Sequence, residues 1–440
     1  MTAPRLEIDL DKIQHNARTL VDRLGARGIS VTGVTKAALG APEVAAALIR
    51  AGVRSLGDSR IENIATMRKA GITAPIMLIR SPMPSQSEQV VAQADISVNT
   101  ELDVVSGLSQ AARAAGRTHG VVLMVELGDL REGIMPGDLQ SFVEVMLAFP
   151  NIVLRGIGTN LACRNGVVPD ARNMAELSAL ADSIDAAFGH RLGCKPGHRL
   201  GPRLGPGLGQ GLGPGRGHGP RPPLGFAAGS VATSGLEIVS GGNSANLDWA
   251  LSGADAGRIN DLRLGEAILL GCEPLYRRPI DGLYTDAFTL VGEVIERKVK
   301  PTIPSGALAQ SAFGERTSPV ADRVFDPAAC PAHFPRTIAP QITVMQTILA
   351  LGRQDIDSDG LLPPTGMKIL GASSDHLIVD SGHIRLSVGA EVRFQLNYGA
   401  LLRAMTSPFV AKVFQPAFKP VFEQAFKTEN GRAHAPSAMH

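Results

Sequence analysis

The stretch ISVTGVTKAALGAPEVAAALIRAGVRSLG, from Ile29 to Gly57, contains the pattern that decides the fold. It opens with an apolar run typical of a buried strand, continues with an amphipathic helical segment over Ala41–Gly52, and closes with a second strand-like run. This order predicts a parallel β-α-β unit. One basic side chain, Lys36, stands at the end of the first strand.

The alternation of apolar runs and amphipathic segments continues to about residue 270. Eight runs have the composition of buried strands: ISVTGVTK, VRSLG, APIMLIR, DISVN, GVVLMVEL, IVLRGIGTN, LEIVSGG and INDLRLG. Amphipathic stretches such as RIENIATMRKAG and NMAELSALADSIDAAFG separate them. Eight strand–helix repeats predict an α/β fold with a TIM-type (β/α)8 barrel over residues 1–270. A doubly wound open sheet is the alternative, although no G-x-G-x-x-G motif follows the first strand.

The pattern changes after about residue 271. Short alternating runs such as AFTLVGEVIERKVK and IRLSVGAEVRFQLNY predict a β-rich C-terminal domain over residues 271–440. Within it, residues 311–341 form a Pro-rich irregular stretch, which we interpret as an insertion. We assign no element to the tail after about residue 410.

A Gly/Pro/Arg-rich segment, residues 190–233, interrupts the barrel pattern. It repeats an L-G-P-like unit and contains no acid, and its burial could not compensate for the entropy of ordering it. We expect a disordered, tolerated insertion, and favour this over a basic tether for an acidic partner. Removing its six basic residues changes the net charge of the chain from +2 to −4. With 4 % aromatic residues as well, the sequence gives little support to a nucleic-acid partner.

Composition also limits the compartment and the metal chemistry. No apolar run approaches the roughly 18 residues that cross a bilayer, and the first residues lack the apolar segment of a signal peptide. The four cysteines are scattered and form no C-x-x-C pair. We therefore expect a reduced, cytoplasmic protein without a membrane segment, a disulfide framework or a metal site.

Functional side chains stand where the predicted barrel strands end, which is the face that carries chemistry in this fold. Lys36 lies in an apolar run, so its side chain either snorkels to solvent or is functional, and a desolvated lysine is a usable nucleophile toward an aldehyde. In VSGGNSANL, two glycines precede Asn243 and Ser244, a pattern that suits either a phosphate or a capped turn. A lysine and a phosphate cradle at one barrel mouth suggest pyridoxal 5'-phosphate, held as a Schiff base. Further strand-end residues are Arg131, Asn160, Cys163, Arg263 and Gly265.

Several segments in the same order carry a resemblance to a known family. They are LEIDLDKIQHNARTL, GVTKAALGAPEV, MVELGDLREGIMP, GIGTNLAC, SGGNSANLDWAL, GRINDLRLGEAILLG, ASSDHLIVD and LNYGALLRAMTSPFV. The sequence resembles the alanine-racemase-like, fold-type III pyridoxal-phosphate enzymes, and within them the alanine/ornithine racemase branch. The similarity covers most of the chain outside residues 190–233, 311–341 and the tail.

The resemblance implies a role for each matching residue. Lys36 would bind the cofactor and act as a base on one face of the substrate. Arg263 would face the pyridine nitrogen, where a second cation disfavours protonation and so suppresses transamination. Arg131 would lie near the phenolic oxygen and the substrate carboxylate, and Asn160 against the ring. The implied phosphate ligands are Asn243, Ser244, Gly265 and Tyr398.

The implied activity is racemisation of a small amino acid, with ornithine or alanine preferred. Racemisation needs a proton donor on the face opposite Lys36. Alanine racemases use a tyrosine of the neighbouring subunit there, but the matching stretch Thr302–Gly306 contains none. We expect Asp375 or His376 of the partner subunit to take this place, in a homodimer with composite sites. Cys163 and Tyr284 are further candidates.

The distal ammonium of ornithine would require a carboxylate, for which Asp129, Glu132 and Asp286 are candidates. Two other functions stay open. A zinc-dependent D-amino-acid dehydratase or aldolase would need a His/Cys or His/Asp metal pair in the C-terminal domain, for which Asp375, His376 and His383 are candidates. A non-enzymatic pyridoxal-phosphate carrier is usually a barrel alone, so the predicted β-rich domain speaks against it.

Overall fold

A computed structural model describes residues 2–192, 235–305 and 343–415. Almost all of the insertion predicted over residues 190–233 lies outside these ranges, and so does the irregular stretch at 311–341. Those two predictions therefore stay untested. Of the C-terminal tail, residues up to 415 are described.

The described residues contain the following strands and helices. The strands are β1 (Arg5–Asp9), β2 (Ser30–Val34), β3 (Ser55–Asp58), β4 (Ile76–Leu78), β5 (Ile96–Asn99), β6 (His119–Met124), β7 (Ile152–Gly158), β8 (Ile238–Ser240), β9 (Asp261–Leu264), β10 (Phe288–Pro301), β11 (Thr343–Leu349), β12 (Leu361–Leu362), β13 (Lys368–Ala372), β14 (Leu377–Asp380), β15 (Glu391–Leu396) and β16 (Ala411–Gln415). The helices are α1 (Leu10–Gly25), α2 (Pro42–Ala51), α3 (Ile61–Lys69), α4 (Ser87–Gln93), α5 (Leu102–Ala114), α6 (Leu139–Met146), α7 (Ala171–Leu192), α8 (Leu247–Leu251), α9 (Glu266–Leu270) and α10 (Tyr398–Thr406).

The chain divides into two compact units. The barrel unit comprises Val21–Lys36 and Val53–Leu264, and the sheet unit comprises Met1–Leu20, Ala37–Gly52 and Gly265–His440, each as far as it is described. In the described part of the chain, no helix has the length and apolar character needed to span a membrane.

Strands β2 to β9 form a closed parallel barrel. Strand β2 closes the barrel, because it pairs with β3 on one side and with β9 on the other. Thr32 on β2 therefore lies opposite both Ser55 and Arg263. All eight predicted strand runs are barrel strands, which confirms the (β/α)8 architecture and excludes the open sheet. The runs are continuously apolar because barrel strands are buried on both faces.

The barrel interior is apolar on one side and polar on another. Met77, Ile96, Val98, Val122, Met124 and Ile238 form a buried apolar cluster. On β2, β8 and β9, by contrast, the buried side chains include Thr32, Ser240, Asp261 and Arg263. Barrel interiors are usually filled by branched apolar residues, so this polar part of the interior calls for a specific reason.

The sheet unit is built around the long strand β10, in the order β12-β15-β10-β11-β14-β13. This confirms the β-rich domain. Strand β1 joins it by pairing antiparallel to β10 and parallel to β16. We placed residues 1–9 in the barrel domain, and the structure shows them in the sheet instead. The reason is their pattern: Leu6 and Ile8 are fully buried, while Arg5 forms an ion pair with Glu391, which suits a sheet with one solvated face.

The run IRLSVGAEVRFQLNY forms less strand than its alternation predicts. Within this run only Glu391–Leu396 forms a strand. Gly389, just before it, adopts a left-handed turn conformation with φ of 86°. Strand β16 lies in the tail to which the sequence assigned no element. Its partner is β1, so local pattern alone could not reveal it.

Candidate functional site

The carboxyl ends of β2 to β9 lie at one rim of the barrel, because all eight strands are parallel. Lys36 follows β2 by two residues, and the turn Gly241–Ser244 directly follows β8. Strand β9 lies between them, paired with both. The lysine and the predicted phosphate turn are therefore at the same rim, two strands apart.

The backbone that carries Lys36 is fixed by its neighbour. Thr35 donates its hydroxyl hydrogen to Oδ2 of Asp58 at 2.8 Å, which ties the end of β2 to the end of β3. The other carboxylate oxygen of Asp58 accepts from the Arg60 backbone and from Asn63 Nδ2, both at 3.0 Å. Burial raises the pKa of Asp58, which is fully buried, and these donors oppose the shift. Sequence reasoning missed Asp58, which directly follows the predicted strand run VRSLG.

A glycine and two asparagine side chains define the conformation of the turn after β8. Gly242 has φ of 144°, and a Cβ there would lie 2.1 Å from Oδ1 of Asn246, so only glycine fits. The side chain of Asn243 caps the following helical turn by accepting the Ala245 N–H at 2.8 Å. In turn, Oδ1 of Asn246 accepts the Asn243 backbone N–H at 3.1 Å, which completes a capping box. Ser244 is buried at the start of that turn.

The side chain of Asn243 also joins this turn to the end of β7. Its Nδ2 donates to Asn160 Oδ1 at 3.2 Å and to the Leu161 carbonyl at 2.8 Å. Asn160 Nδ2 is buried and has no hydrogen-bond partner among the residues that the structure describes. Buried polar atoms are normally hydrogen-bonded, so an acceptor on a bound ligand would satisfy this donor.

Arg263 is the second cation of the rim and is buried, with 5 % of its surface exposed. Its guanidinium donates to Ser240 Oγ at 2.5 Å and to the Thr159 carbonyl at 2.6 Å. Burial lowers the pKa of Arg263 to about 10, so the group stays charged at neutral pH. The charges of Arg131 and Glu132 also act on Arg263, in opposite directions.

Two buried carboxylates shape the loop that carries Arg131. Glu126 accepts the backbone N–H groups of Gly128, Leu130 and Arg131 at 2.6, 2.9 and 3.2 Å. Leu130 has φ of 51°, a left-handed conformation that costs energy for a residue other than glycine. Three bonds to one carboxylate hold the loop in this conformation.

Asp129 connects that loop to the segment after β7. It is fully buried and accepts the backbone N–H groups of Cys163, Arg164 and Asn165 at 2.9–3.2 Å. This excludes Asp129 as a receptor for a substrate ammonium group, because its oxygens are occupied and inaccessible. Asp129 is a structural residue of the rim.

Arg131 lies between an acid and a thiol. It forms a two-contact pair with Glu132, at 2.5 Å from Nε and 2.7 Å from Nη2, and its Nη1 lies 3.0 Å from Cys163 Sγ. The side chain of Glu132 is 28 % exposed. Of the two rim acids considered for a substrate ammonium group, Glu132 is accessible and Asp129 is not.

The remaining predicted residues belong to the sheet unit. Gly265 is the N-cap of α9, and Tyr398 is the first residue of α10, whose N-cap Asn397 accepts the Ala400 N–H at 2.9 Å. Tyr284 is 46 % exposed and stacks edge-to-face on His15. Asp286 is paired with Lys12 at 2.7 Å.

Asp375 and His376 form a pair in the turn between β13 and β14. His376 Nδ1 lies 3.0 Å from Asp375 Oδ1, and both side chains are exposed. A hydrogen bond from Ser374 is the largest cause that lowers the pKa of Asp375, which favours its anionic form. The backbone of Gly352 passes so close that a Cβ there would lie 2.3 Å from the Asp375 nitrogen. Among the described residues, no group of three or more His, Cys, Asp or Glu side chains could hold a metal ion.

The rim residues fit pyridoxal 5'-phosphate. They supply an amine, a glycine turn whose shape excludes a side chain, a buried arginine and an amide donor with no acceptor in the part of the chain that the structure describes. A (β/α)8 barrel with this rim and a separate β-sheet unit defines the class of barrel enzymes that use this cofactor.

Comparison with known proteins extends the assignment. The pattern that describes the N-terminal domain of alanine racemase matches residues 8–196. A lysine racemase of Thermotoga maritima is 34 % identical over 419 residues, covering 95 % of this chain and all of the relative. An ornithine racemase of Acetoanaerobium sticklandii is 32 % identical over 413 residues, covering 93 % of this chain and 99 % of the relative. The chain therefore belongs to the alanine-racemase-like family, and it is a pyridoxal-phosphate-dependent amino-acid racemase.

Solved structures agree on the fold. An alanine racemase of Streptomyces coelicolor has a TM-score of 0.62 at 19 % identity, covering 94 % of this chain and 98 % of that one. A D-threonine aldolase of Filomicrobium marinum has a TM-score of 0.60 at 15 % identity, covering 95 % and 93 %. Similarity at these identities shows the shared architecture alone.

Proposed function

We propose that this racemase acts on a diamino acid, with ornithine or lysine as substrate. The support is that the ornithine and lysine racemases match this chain over nearly its whole length. Two alanine racemases, by contrast, match 41 % and 37 % of it, each at 31 % identity. The sequence led us to expect ornithine or alanine as substrate, and the proposed substrate is now ornithine or its longer homologue lysine.

Lys36, Arg263 and Arg131 are proposed to hold the reacting part of the cofactor, as the family resemblance implies. The cofactor, when bound, withdraws electrons from the substrate Cα–H bond and acidifies it. Arg263 would face the pyridine nitrogen, and Asn160, whose Nδ2 has no partner among the described residues, would lie against the ring. The family resemblance implies that Asn243 and Ser244 of the β8 turn, with Gly265 and Tyr398, would hold the phosphate.

Proton transfer is proposed to use two faces of the substrate. Lys36 removes or returns the Cα proton on one face. On the opposite face, His376 of the partner subunit donates the proton, with Asp375 of the partner subunit orienting its ring. The supporting observation is the 3.0 Å contact within this pair and its exposure to solvent. A homodimer with composite sites is part of this proposal, and a cytoplasmic location stays a prediction from composition.

Glu132 is proposed to receive the distal ammonium group of the substrate. Asp129 is occupied by three backbone donors and Asp286 belongs to the sheet unit, whereas Glu132 is a partly exposed acid at the barrel rim. Its pairing with Arg131 fixes the orientation of the carboxylate. A charge-assisted bond to an ammonium group contributes about 1.5–3 kcal/mol.

The experiment follows the optical rotation of L-ornithine, L-lysine and L-alanine with purified wild-type enzyme and with Glu132→Gln. We expect the wild type to racemise the diamino acids faster, and Glu132→Gln to raise KM for them by about tenfold or more while changing alanine turnover little. Glu144→Gln, an exposed acid on α6, is the matched control. Preferred turnover of alanine by the wild type would contradict the substrate assignment.

A further inference from the structure

Asp261 is a buried acid below the rim that the proposed reaction does not use. It lies two residues before Arg263 on β9, so both side chains point to the same side of the strand. Only 3 % of Asp261 is exposed. Burying a carboxylate in a barrel interior is costly unless hydrogen bonds and a charge compensate for it.

Hydroxyl groups connect Asp261 to Arg263. Ser240 Oγ donates to Asp261 Oδ2 at 2.9 Å and accepts from Arg263 Nη1 at 2.5 Å. Thr32 donates to the other oxygen, Oδ1, at 2.8 Å. These contacts form a relay, a continuous chain of hydrogen bonds from Thr32 through the Asp261 carboxylate and Ser240 to the Arg263 guanidinium.

The direction of these hydrogen bonds depends on the carboxylate. An ionised carboxylate only accepts, so the Ser240 hydroxyl hydrogen must point to Asp261. The lone pairs of Ser240 then face Arg263, which only donates. An amide at position 261 could instead donate to Ser240 and turn its hydroxyl hydrogen toward the guanidinium.

We propose that Asp261 is a positioning residue that, through Ser240, holds Arg263 against the pyridine nitrogen of the cofactor. Arg263 has a second fixed partner, the Thr159 carbonyl, so two bonds set the plane of its guanidinium. The negative charge of Asp261 also favours the charged form of the buried arginine. This inference rests on the role proposed above for Arg263.

Loss of the relay has a specific chemical consequence. If Arg263 moves away, the pyridine nitrogen gains protons more easily, because the repelling cation is gone. A protonated ring favours the side reaction of transamination. In that reaction the substrate would be oxidised to a 2-oxo acid whose carbonyl oxygen comes from one water, while the amino group, the Cα proton and the electron pair of the Cα–H bond stay with the cofactor, which is reduced.

The experiment compares Asp261→Asn and Ser240→Ala with Ser55→Ala, whose hydroxyl contacts Thr32 but not Asp261. Each full-length variant is loaded with cofactor labelled with ¹⁵N in the ring, and the nitrogen chemical shift is measured without substrate. Turnover then gives the ratio of racemisation to 2-oxo acid release. We expect the two relay variants to shift the nitrogen signal toward its protonated value and to raise the oxo-acid fraction by about tenfold, equivalent to one pKa unit. Ser55→Ala should leave both unchanged.

Arg263→Gln, which removes the cation, separates this inference from the proposed role of the arginine. If Arg263→Gln changes the nitrogen shift and the two relay variants do not, the relay is wrong and the arginine role stands. If Arg263→Gln itself has no effect, the role proposed for Arg263 is wrong. Should Asp261→Asn fail to fold, Ser240→Ala decides, since it removes the relay and leaves the acid in place.

Discussion

The hydroxyl of Thr35 and the carboxylate of Asp58 form a 2.8 Å hydrogen bond one residue before Lys36. Both residues are fully buried, although they are 23 positions apart in the chain. The bond joins the ends of two neighbouring barrel strands, and Lys36 is the next residue along the chain. The position of the lysine backbone therefore depends on a contact that the local sequence does not contain.

Replacing Thr35 by Val should loosen Lys36 without changing any group that touches the cofactor. Loss of the donor leaves Oδ2 of the buried Asp58 with one bond fewer, which costs about 1–3 kcal/mol. We expect about a tenfold lower kcat and weaker cofactor binding, measured by turnover and by absorbance titration of the apoenzyme. Thr66→Val on the exposed face of α3 is the control. Unchanged cofactor affinity in Thr35→Val would refute the role of this bond.

His119 should make the enzyme less stable in acid. The ring is 1 % exposed and lies 2.8 Å from Ser97 Oγ, and burial lowers its pKa to about 4 from an ordinary value near 6.5. The unfolded chain therefore binds a proton that the folded chain does not, between pH 6.5 and 4. This difference in proton binding corresponds to about 3 kcal/mol of unfolding free energy, which is fully present above pH 6.5 and is lost as the pH falls toward 4.

Denaturant unfolding at several pH values between 4 and 7.5 measures this effect. In His119→Gln the dependence of the unfolding free energy on pH should be shallower over that window, whereas His383→Gln, on an exposed histidine, should match the wild type. Equal slopes for wild type and His119→Gln would show that another group is responsible.

Asp129→Asn should disorder the rim. The amide retains an oxygen acceptor but presents an NH2 group to backbone N–H groups that the carboxylate now binds. We expect a loss of about 2 kcal/mol in unfolding free energy and a fall in kcat, because the loop holding Arg131 loses its connection to Cys163. Unfolding curves and turnover rates measure the two effects. Asp103→Asn, exposed in the first turn of α5, should change neither.

Gly352→Ala should displace the turn that carries Asp375 and His376. The new Cβ would lie 2.3 Å from the Asp375 nitrogen and 2.4 Å from the Ser374 oxygen, so the turn must move. We expect about 1–3 kcal/mol of destabilisation and a strong loss of racemisation. Gly25→Ala, where a Cβ meets nothing within 4 Å, is the control. Normal activity in Gly352→Ala would count against a catalytic part for this turn, as would normal activity in Asp375→Asn combined with His376→Gln.

Much of the architecture was predictable because barrel strands and their helices have a local signature. Runs such as GVVLMVEL are apolar throughout because both faces are buried, and each is followed by a helical pattern. The closed barrel and the sheet unit confirm those predictions. The location of Lys36 and of the Gly241–Ser244 turn at one rim follows from strand direction alone.

The barrel, the lysine at a strand end and the glycine turn were predictable, since these depend on periodicity and on backbone conformation within a few residues. The folded molecule was needed to show that β1 belongs to the sheet, that Asp129 is occupied while Glu132 is accessible, and that Asp261 reaches Arg263 through Ser240. This is because strand pairing and buried hydrogen bonds join residues far apart in the chain. Their partners are set by closure of the barrel and the register of the sheet, which no local pattern contains.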